Sequence, residues 1–308
     1  MNTNWLKDLA RLYLPVYQYE SNTMKIAYAG YSSIKKNYFV RFILDTNNQH
    51  TFLGRRWFWR IPDLIKSNNI DMVISEISPI VLNHFQKCNG YIVPGWVMMR
   101  INIDRPMSEI CHSRESHYSG IKRKIRKFNL TYEILTDKES YNNFVNNFYL
   151  PYISSRYGEE ALIEDLNIYM NLTPTPVLLA IKEGAVIVGM AVMRKSGESL
   201  DLMRLGLLDG KEEYRLHGVI GAIYYFSILE GQKMGCRYMD VSGTRPFLTD
   251  GLTKFKIGLG AEFAPNISQG KEYLWLGVNE HSIVTEEFMR RNPVMHFNKD
   301  FNLARSGT

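Results

Sequence analysis

Cysteine is scarce in this chain: Cys88, Cys111 and Cys236 are the only three in 308 residues, too far apart to form a Cys-x-x-Cys pair and too few for a disulfide framework. That usage suits a reducing compartment and supplies no thiolate cluster for a metal, so no metal site is expected. Apolar runs are short, and none approaches the roughly eighteen residues needed to span a bilayer. The opening stretch, MNTNWLKDLARLYLPVYQYES, lacks the basic, apolar and small-residue segments of a signal peptide, so a cytoplasmic protein is expected. Without secretion, the sequons at Asn129, Asn171 and Asn266 carry little meaning. Low-complexity tracts and short-period repeats are also missing.

What is present is apolar and mildly basic. A hydrophobic fraction of 45% over 308 residues exceeds what one typical core needs, so two domains fit the length. The net charge of +6 is a modest bias toward anionic partners.

The chain is organised around the stretch 200–263. Residues 200–208 form an apolar, strand-like run that breaks at Asp209-Gly210. A helix follows, starting around Tyr214-Arg215-Leu216-His217-Gly218, ending near Gly235 and apolar almost all the way round, which calls for burial on more than one side. A second strand over 237–241 completes a βαβ unit, whose helix N-terminus is a natural seat for anionic groups. In that strand Met239 and Val241 point to one face, and Tyr238, Asp240 and Ser242 to the other. Buried parallel strands are normally apolar on both faces, so a polar face at the C-terminal end reads as a site.

Elsewhere the stripe Trp5, Leu6, Leu9, Leu12, Tyr13 predicts a helix over 5–17, docked on its own domain or lying on a membrane surface. Residues 24–30, 38–44, 71–77 and 97–103 read as strands and 79–87 as a helix. In 54–60 three aromatics stand among three arginines; either the rings are buried at a helix start with arginines snorkelling outward, or they stack bases or bind phosphates. A long helix is expected over 107–128. Its second half has an apolar face of Tyr118, Ile121, Ile125 and Phe128, and carries Lys122, Arg123, Lys124, Arg126 and Lys127. Such a run is a solvated face or a phosphate-recognition surface, since clustered cations repel unless an anion is near. A strand over 130–135, helices over 140–157 and 159–170, strands over 176–182 and 185–194, and a final strand (272–278) and helix (282–291) complete the reading.

Arg215-Leu216-His217-Gly218, opening a helix after a strand, resembles the acyl-donor phosphate loop of the Gcn5-related acyltransferases (GNAT), except that the last small residue falls on Ile220, with Gly221 one place late. Gly235 to Gly243, followed by Thr253-Lys254-Phe255-Lys256-Ile257-Gly258-Leu259-Gly260-Ala261-Glu262, is similar to the Fem ligases and their acyl-CoA-using relatives, which carry a Gly-Cys-x-x-x-Asp-x-Gly strand and a Phe-Lys-x-x-x-Gly helix. The resemblance implies an α+β, tandem GNAT fold: two mixed twisted sheets flanked by helices, in domains 1–128 and 129–308, with the last ~25 residues packing back on domain 1. It also implies acyl transfer from an acyl-CoA thioester to an amine by direct attack. The family places an Arg/Lys-rich helix where Lys122 to Lys127 falls, with a small residue where this chain has Lys127.

On this reading Arg215, Gly218, Gly221 and Lys254 hold the donor, and Tyr238, Ser242, Lys122 and Arg126 face the substrates. Catalysis falls to Asp240 as acid, base or amine-orienting group, to Lys256 as transition-state or donor stabiliser, and to His217. His217 sits where the helix dipole disfavours its charged form, which suits a base, but binding or capping fits the position equally. Asp240 has its own structural alternative, a hydrogen bond to the turn at Ser242. Phe255 continues the apolar face of Leu252 and Leu259, which leaves Lys256 off the core. Two alternatives stay open: aminoacyl-tRNA as donor with a peptidoglycan-precursor-like amine as acceptor, or a non-catalytic relative that binds an anion. No inserted helical hairpin of the tRNA-using ligases is visible, which favours the thioester.

Overall fold

Strand burial patterns set the architecture, in which residues 8–44, 49–67, 69–110, 117–158, 171–264, 272–298 and 303–306 of a computed structural model are described. The chain divides into two units, one from Met1–Val97, Gly243–Lys254 and Ala264–Thr308, the other from Met98–Ser242 and Phe255–Phe263. This division is discontinuous, unlike a single cut between 128 and 129. Cysteine Cys111, the residues Trp5 and Leu6, the sequon at Asn266 and the helix expected over 159–170 lie outside the described residues.

In the first unit β1 (Tyr13–Glu20), β2 (Lys25–Ala29), β3 (His50–Trp57), β4 (Met72–Ile77), β5 (Gly90–Pro94) and β13 (Tyr273–Val278), numbered in chain order, form one mixed sheet in the order β3-β1-β2-β4-β13-β5. Only β2 and β4 run parallel; the neighbours of β13 are antiparallel to it. All of β4 is buried because both sheet faces are covered. Helix α1 (Ser33–Leu44) packs Phe39, Val40 and Ile43 with Ile26, Tyr28 and Leu276 on one face; Leu14, Val16, Ile61 and Trp275 fill the other. Residues 38–44 are therefore helical rather than the expected strand. Their buried positions, Phe39, Val40, Ile43 and Leu44, recur at three- and four-residue steps, the helical period. The segment 54–60 also differs: β3 runs into it as far as Trp57, one 3-10 turn covers Phe58–Arg60, and Trp57 and Trp59 stay exposed while Phe58 packs against the core. Residues Tyr13 to Tyr17, read as the end of a helix, form most of β1 because Leu14 and Val16 alternate into the core.

The second unit contains a seven-stranded sheet, β12-β6-β11-β10-β9-β8-β7. Its strands are β6 (Val97–Asn102), β7 (Leu130–Leu135), β8 (Val177–Glu183), β9 (Val186–Ser196), β10 (Ser199–Leu207), β11 (Tyr238–Thr244) and β12 (Ala261–Phe263). From β7 to β10 it is an antiparallel meander with turns at Gly184 and Gly197, and β11 then lies parallel to β10. Meander, turn, buried helix and parallel strand is the order the resemblance implies, and the class is α+β with two mixed sheets flanked by helices.

Helix α2 (Tyr118–Lys127) packs Tyr118 and Ile121 into this unit's core. The single helix expected from Tyr214 is two: α3 (Glu212–His217) and α4 (Val219–Lys233), broken at Gly218. Gly218 has φ +88°, which a side chain disfavours, and a Cβ there would lie 2.6 Å from Lys124 Cδ on α2. At Gly221 a Cβ would lie 2.7 Å from Ile121 Cγ1, so the missing side chain lets α2 and α4 approach.

Candidate active site

A row of charge crosses the polar face of the second sheet. In the β9–β10 register Asp201 stands opposite Arg194, whose guanidinium donates to it at 2.8 Å; in the β10–β11 register Asp201 stands opposite Asp240. On β6 the burial alternates, with Met99 and Ile101 in the core, so Arg100 falls on the other face and lies 4.2 Å over the Tyr238 ring. Arg194, Asp201 and Arg100 were not singled out from the sequence. The signal was there in the alternation Leu200-Asp201-Leu202, the same pattern that marks Met239-Asp240-Val241.

Beyond this row the two parallel strands separate. Pairing of β10 with β11 stops at Asp201↔Asp240, while β10 stays bonded to β9 through a bulge between Leu202 and Arg204 and on to Leu207. Ser242 holds the fork. Its backbone is left-handed (φ +62°), its N–H donates to Asp240 Oδ1 at 2.8 Å, and its hydroxyl donates to the Leu202 carbonyl at 3.1 Å. Helix α5 (Gly251–Gly258) brings in Lys256, whose ammonium donates to the Ser242 carbonyl at 3.1 Å.

Lys256 is only 3% exposed, so the expectation that it stands off the core is wrong. Its ammonium lies against the β11 side of the fork instead of projecting into solvent, while Phe255 packs edge-on against Tyr224 at 5.5 Å. Burial pushes the Asp240 carboxyl above the usual carboxylate range, with the charge of Asp201 adding to it; the Ser242 N–H, Lys256 and Arg100 pull the other way. The result is a shielded carboxyl that holds its proton more readily than a surface aspartate, beside a buried ammonium and the point where β10 and β11 cease to pair.

Asp240, Ser242, Tyr238 and Lys256 are thus brought together. Lys254, on the first turns of α5, belongs to the first unit. Arg215 is exposed and ion-paired with Glu212 within α3. His217 is held by Glu183 (Nδ1 to Oε2, 2.9 Å) and stacks on Phe128 with ring centroids 3.9 Å apart, partners that are neither Asp240 nor Lys256. The stem of Lys124 covers Gly218, which places a cation of α2 beside the start of α4. Lys122 lies over the Tyr225 ring at 6.0 Å, and Arg126 bonds back to the Lys122 carbonyl. Among the described residues no carboxylate pairs with any of the five α2 cations.

The chain is similar to FemX at 12% identity and a TM-score of 0.46, over 89% of this chain and 85% of that one. It is similar to L-PGS from Bacillus licheniformis at 11% identity and a TM-score of 0.43, over 90% and 84%. A GCN5-related N-acetyltransferase from Kribbella flavida matches at 10% identity and a TM-score of 0.32, over 91% and 94%. No family model matches, and no curated protein does. Likeness at this level assigns neither reaction nor donor.

Among the described residues no group of three or more His, Cys, Asp or Glu side chains is arranged to hold a metal ion, and no helix is long and apolar enough to cross a membrane. What the fork can do chemically follows from its parts. A carbonyl entering between β10 and β11 would meet backbone donors on one side, and a carboxyl able to accept a proton on the other.

Proposed function

We propose that this chain transfers an acyl group from a carrier thioester, an acyl-CoA, to an amine by direct attack. The observation that carries the reading is the fork: β10 and β11 part immediately after Asp201 and Asp240, with Lys256 bonded to the Ser242 carbonyl on its β11 side. An amine must lose a proton as it attacks. Asp240, shielded and with its affinity for protons raised, accepts it. The charge that develops on the carbonyl oxygen meets backbone N–H groups of β10 past its last pair with β11, with the Lys256 ammonium adding a fixed positive charge nearby. The tetrahedral adduct collapses with loss of the thiolate, and the enzyme itself forms no covalent bond. His217, committed to Glu183 and Phe128, serves as a strut for the α3–α4 corner in this scheme, and Arg215 would have to leave Glu212 to reach a donor phosphate.

A second reading is favoured by the five α2 cations: a polyanionic carrier such as aminoacyl-tRNA would neutralise a helix face that nothing else on the described chain does. A thermal-shift screen separates the two, since a ligand bound only by the folded state raises the melting temperature. Stabilisation by acyl-CoA supports the thioester. Stabilisation by tRNA alone, abolished by Lys122→Gln with Arg126→Gln and steeply dependent on salt, moves the donor to tRNA. Binding of a donor without turnover leaves the non-catalytic anion-binding relative as the better description.

A further inference from the structure

The aromatic face of the first unit has no part in the chemistry above. Sheet register puts Tyr13 opposite Trp57 and Tyr17 opposite Phe52, while Leu14 and Val16 turn to the core on the other side. Trp57 and Trp59 stack with ring centroids 5.0 Å apart and 8° between planes, and Tyr13 meets Trp57 at 5.0 Å. These rings are not packed away: Phe52 is 55% exposed, and Trp57 and Trp59 are 47% exposed each. Ile34, in the first turn of α1, is exposed as well. Exposed large apolar side chains are normally scattered, and a cluster of this kind on one edge of a sheet marks a surface that meets something.

A cavity of about 250 Å³ opens within this face, lined by Tyr17, Tyr31, Ser32, Phe52 and the cations Lys36 and Arg55. Lys36 sits 4.6 Å over the Tyr17 ring and Arg55 5.8 Å over the Tyr31 ring, and among the described residues neither has a carboxylate partner. Glu76, which meets the cavity's Ser32, is 3% exposed; it accepts from Tyr28 and from the Ser32 N–H and is paired with Arg11 rather than with either cation. Two cations without a carboxylate partner among the described residues, set between tyrosine and phenylalanine rings on the edge that carries the Trp57–Trp59 pair, combine a phosphate seat with side chains that favour a polar–apolar boundary. The aliphatic Ile34 argues against a nucleic-acid strand, whose bases need flat rings to stack on.

We propose that the first unit docks on an anionic lipid surface through this face, a lipid phosphate seating between Lys36 and Arg55 and the Trp57–Trp59 pair entering the headgroup boundary. The test is co-sedimentation of the full chain with phosphatidylcholine vesicles, with and without phosphatidylglycerol, read together with quenching of tryptophan fluorescence by brominated lipid. Expected is binding that requires phosphatidylglycerol and weakens with salt, and that falls about 30-fold in Lys36→Gln with Arg55→Gln, from about five-fold per cation near a charged surface. Trp57→Ser with Trp59→Ser should lose the brominated-lipid quenching; all four side chains are at the surface, so an unchanged melting temperature would confirm that the variants fold. The idea is overturned if the full chain ignores phosphatidylglycerol vesicles, or if both double variants bind them as the parent does. Capture of glycerol phosphate or a single-stranded oligonucleotide without vesicle binding overturns it equally, and points to a soluble ligand instead.

Discussion

Substituting Gly218 tests how the second unit's central corner is built. The residue sits at φ +88° between α3 and α4, and a Cβ would stand 2.6 Å from Lys124 Cδ and 3.0 Å from Lys124 Cβ. Forcing a side chain into left-handed backbone costs about 1–2 kcal/mol. Displacing the Lys124 stem from a packed position costs about 1 kcal/mol more, at the low end for overpacking because the stem is flexible. Gly218→Ala should therefore lose about 2–3 kcal/mol, and at about 2–4 °C per kcal/mol for a unit of this size its melting temperature should fall by about 4–12 °C. In a Lys124→Ala background most of the overlap disappears, and the same change should cost only the backbone strain, about 1–2 kcal/mol. Thermal and urea unfolding of the four proteins in this cycle measure both quantities. A Gly218→Ala protein as stable as the parent, or a cycle with no coupling between the two positions, would refute the account of this corner.

Three further outcomes follow from individual contacts. Asp240 is raised in the folded state by burial, so the stability tied to its proton is present below the unfolded carboxylate value of about 3.9 and is lost as pH rises through the folded one. Asp240→Asn should accordingly raise the melting temperature at pH 8, with the gain vanishing as pH falls toward the unfolded value; a gain that grew on acidification would contradict this. Glu76→Ala strips the acceptor from Tyr28 and Ser32 and the partner from Arg11, and should cost about 3 kcal/mol or more in urea unfolding. Tyr118→Phe removes the hydroxyl that donates to the Leu259 carbonyl at 3.0 Å in a buried setting, for a loss of about 1 kcal/mol by the same assay.

Much of the second unit was legible because its signals are local. Gly184 and Gly197 mark the turns of the meander, and the two-residue alternation of Met239-Asp240-Val241 marks a strand with one polar face. The first unit was harder. In α1 the run Tyr38 to Leu44 is rich in aromatic and β-branched residues, a strand-like composition, and only packing against Ile26 and Leu276 selects the helix. Trp57 and Trp59 looked like core residues, yet β3 is the edge strand and its outer face stays uncovered. At the site, Asp240 and Ser242 could be found from one strand alone. Asp201 carries the same alternation in Leu200-Asp201-Leu202, but that it meets Arg194 and Asp240 could not be found, since the meeting depends on strand order and register across the sheet. Lys256 was located by motif, but its inward course was not, because the carbonyl that receives it is freed only by the left-handed turn at Ser242.

The fork between β10 and β11 is tested most directly by hydrogen exchange of peptides spanning 201–207 and 238–244, with saturating acyl-CoA and, separately, with aminoacyl-tRNA. Slower exchange in both peptides with one of these donors, weakened by Lys256→Met, is the predicted result. Exchange in both peptides left unchanged by either donor, while melting temperature or binding shows that a donor is bound, would mean that the carbonyl is held elsewhere and that Asp240 and Lys256 serve only to brace the sheet.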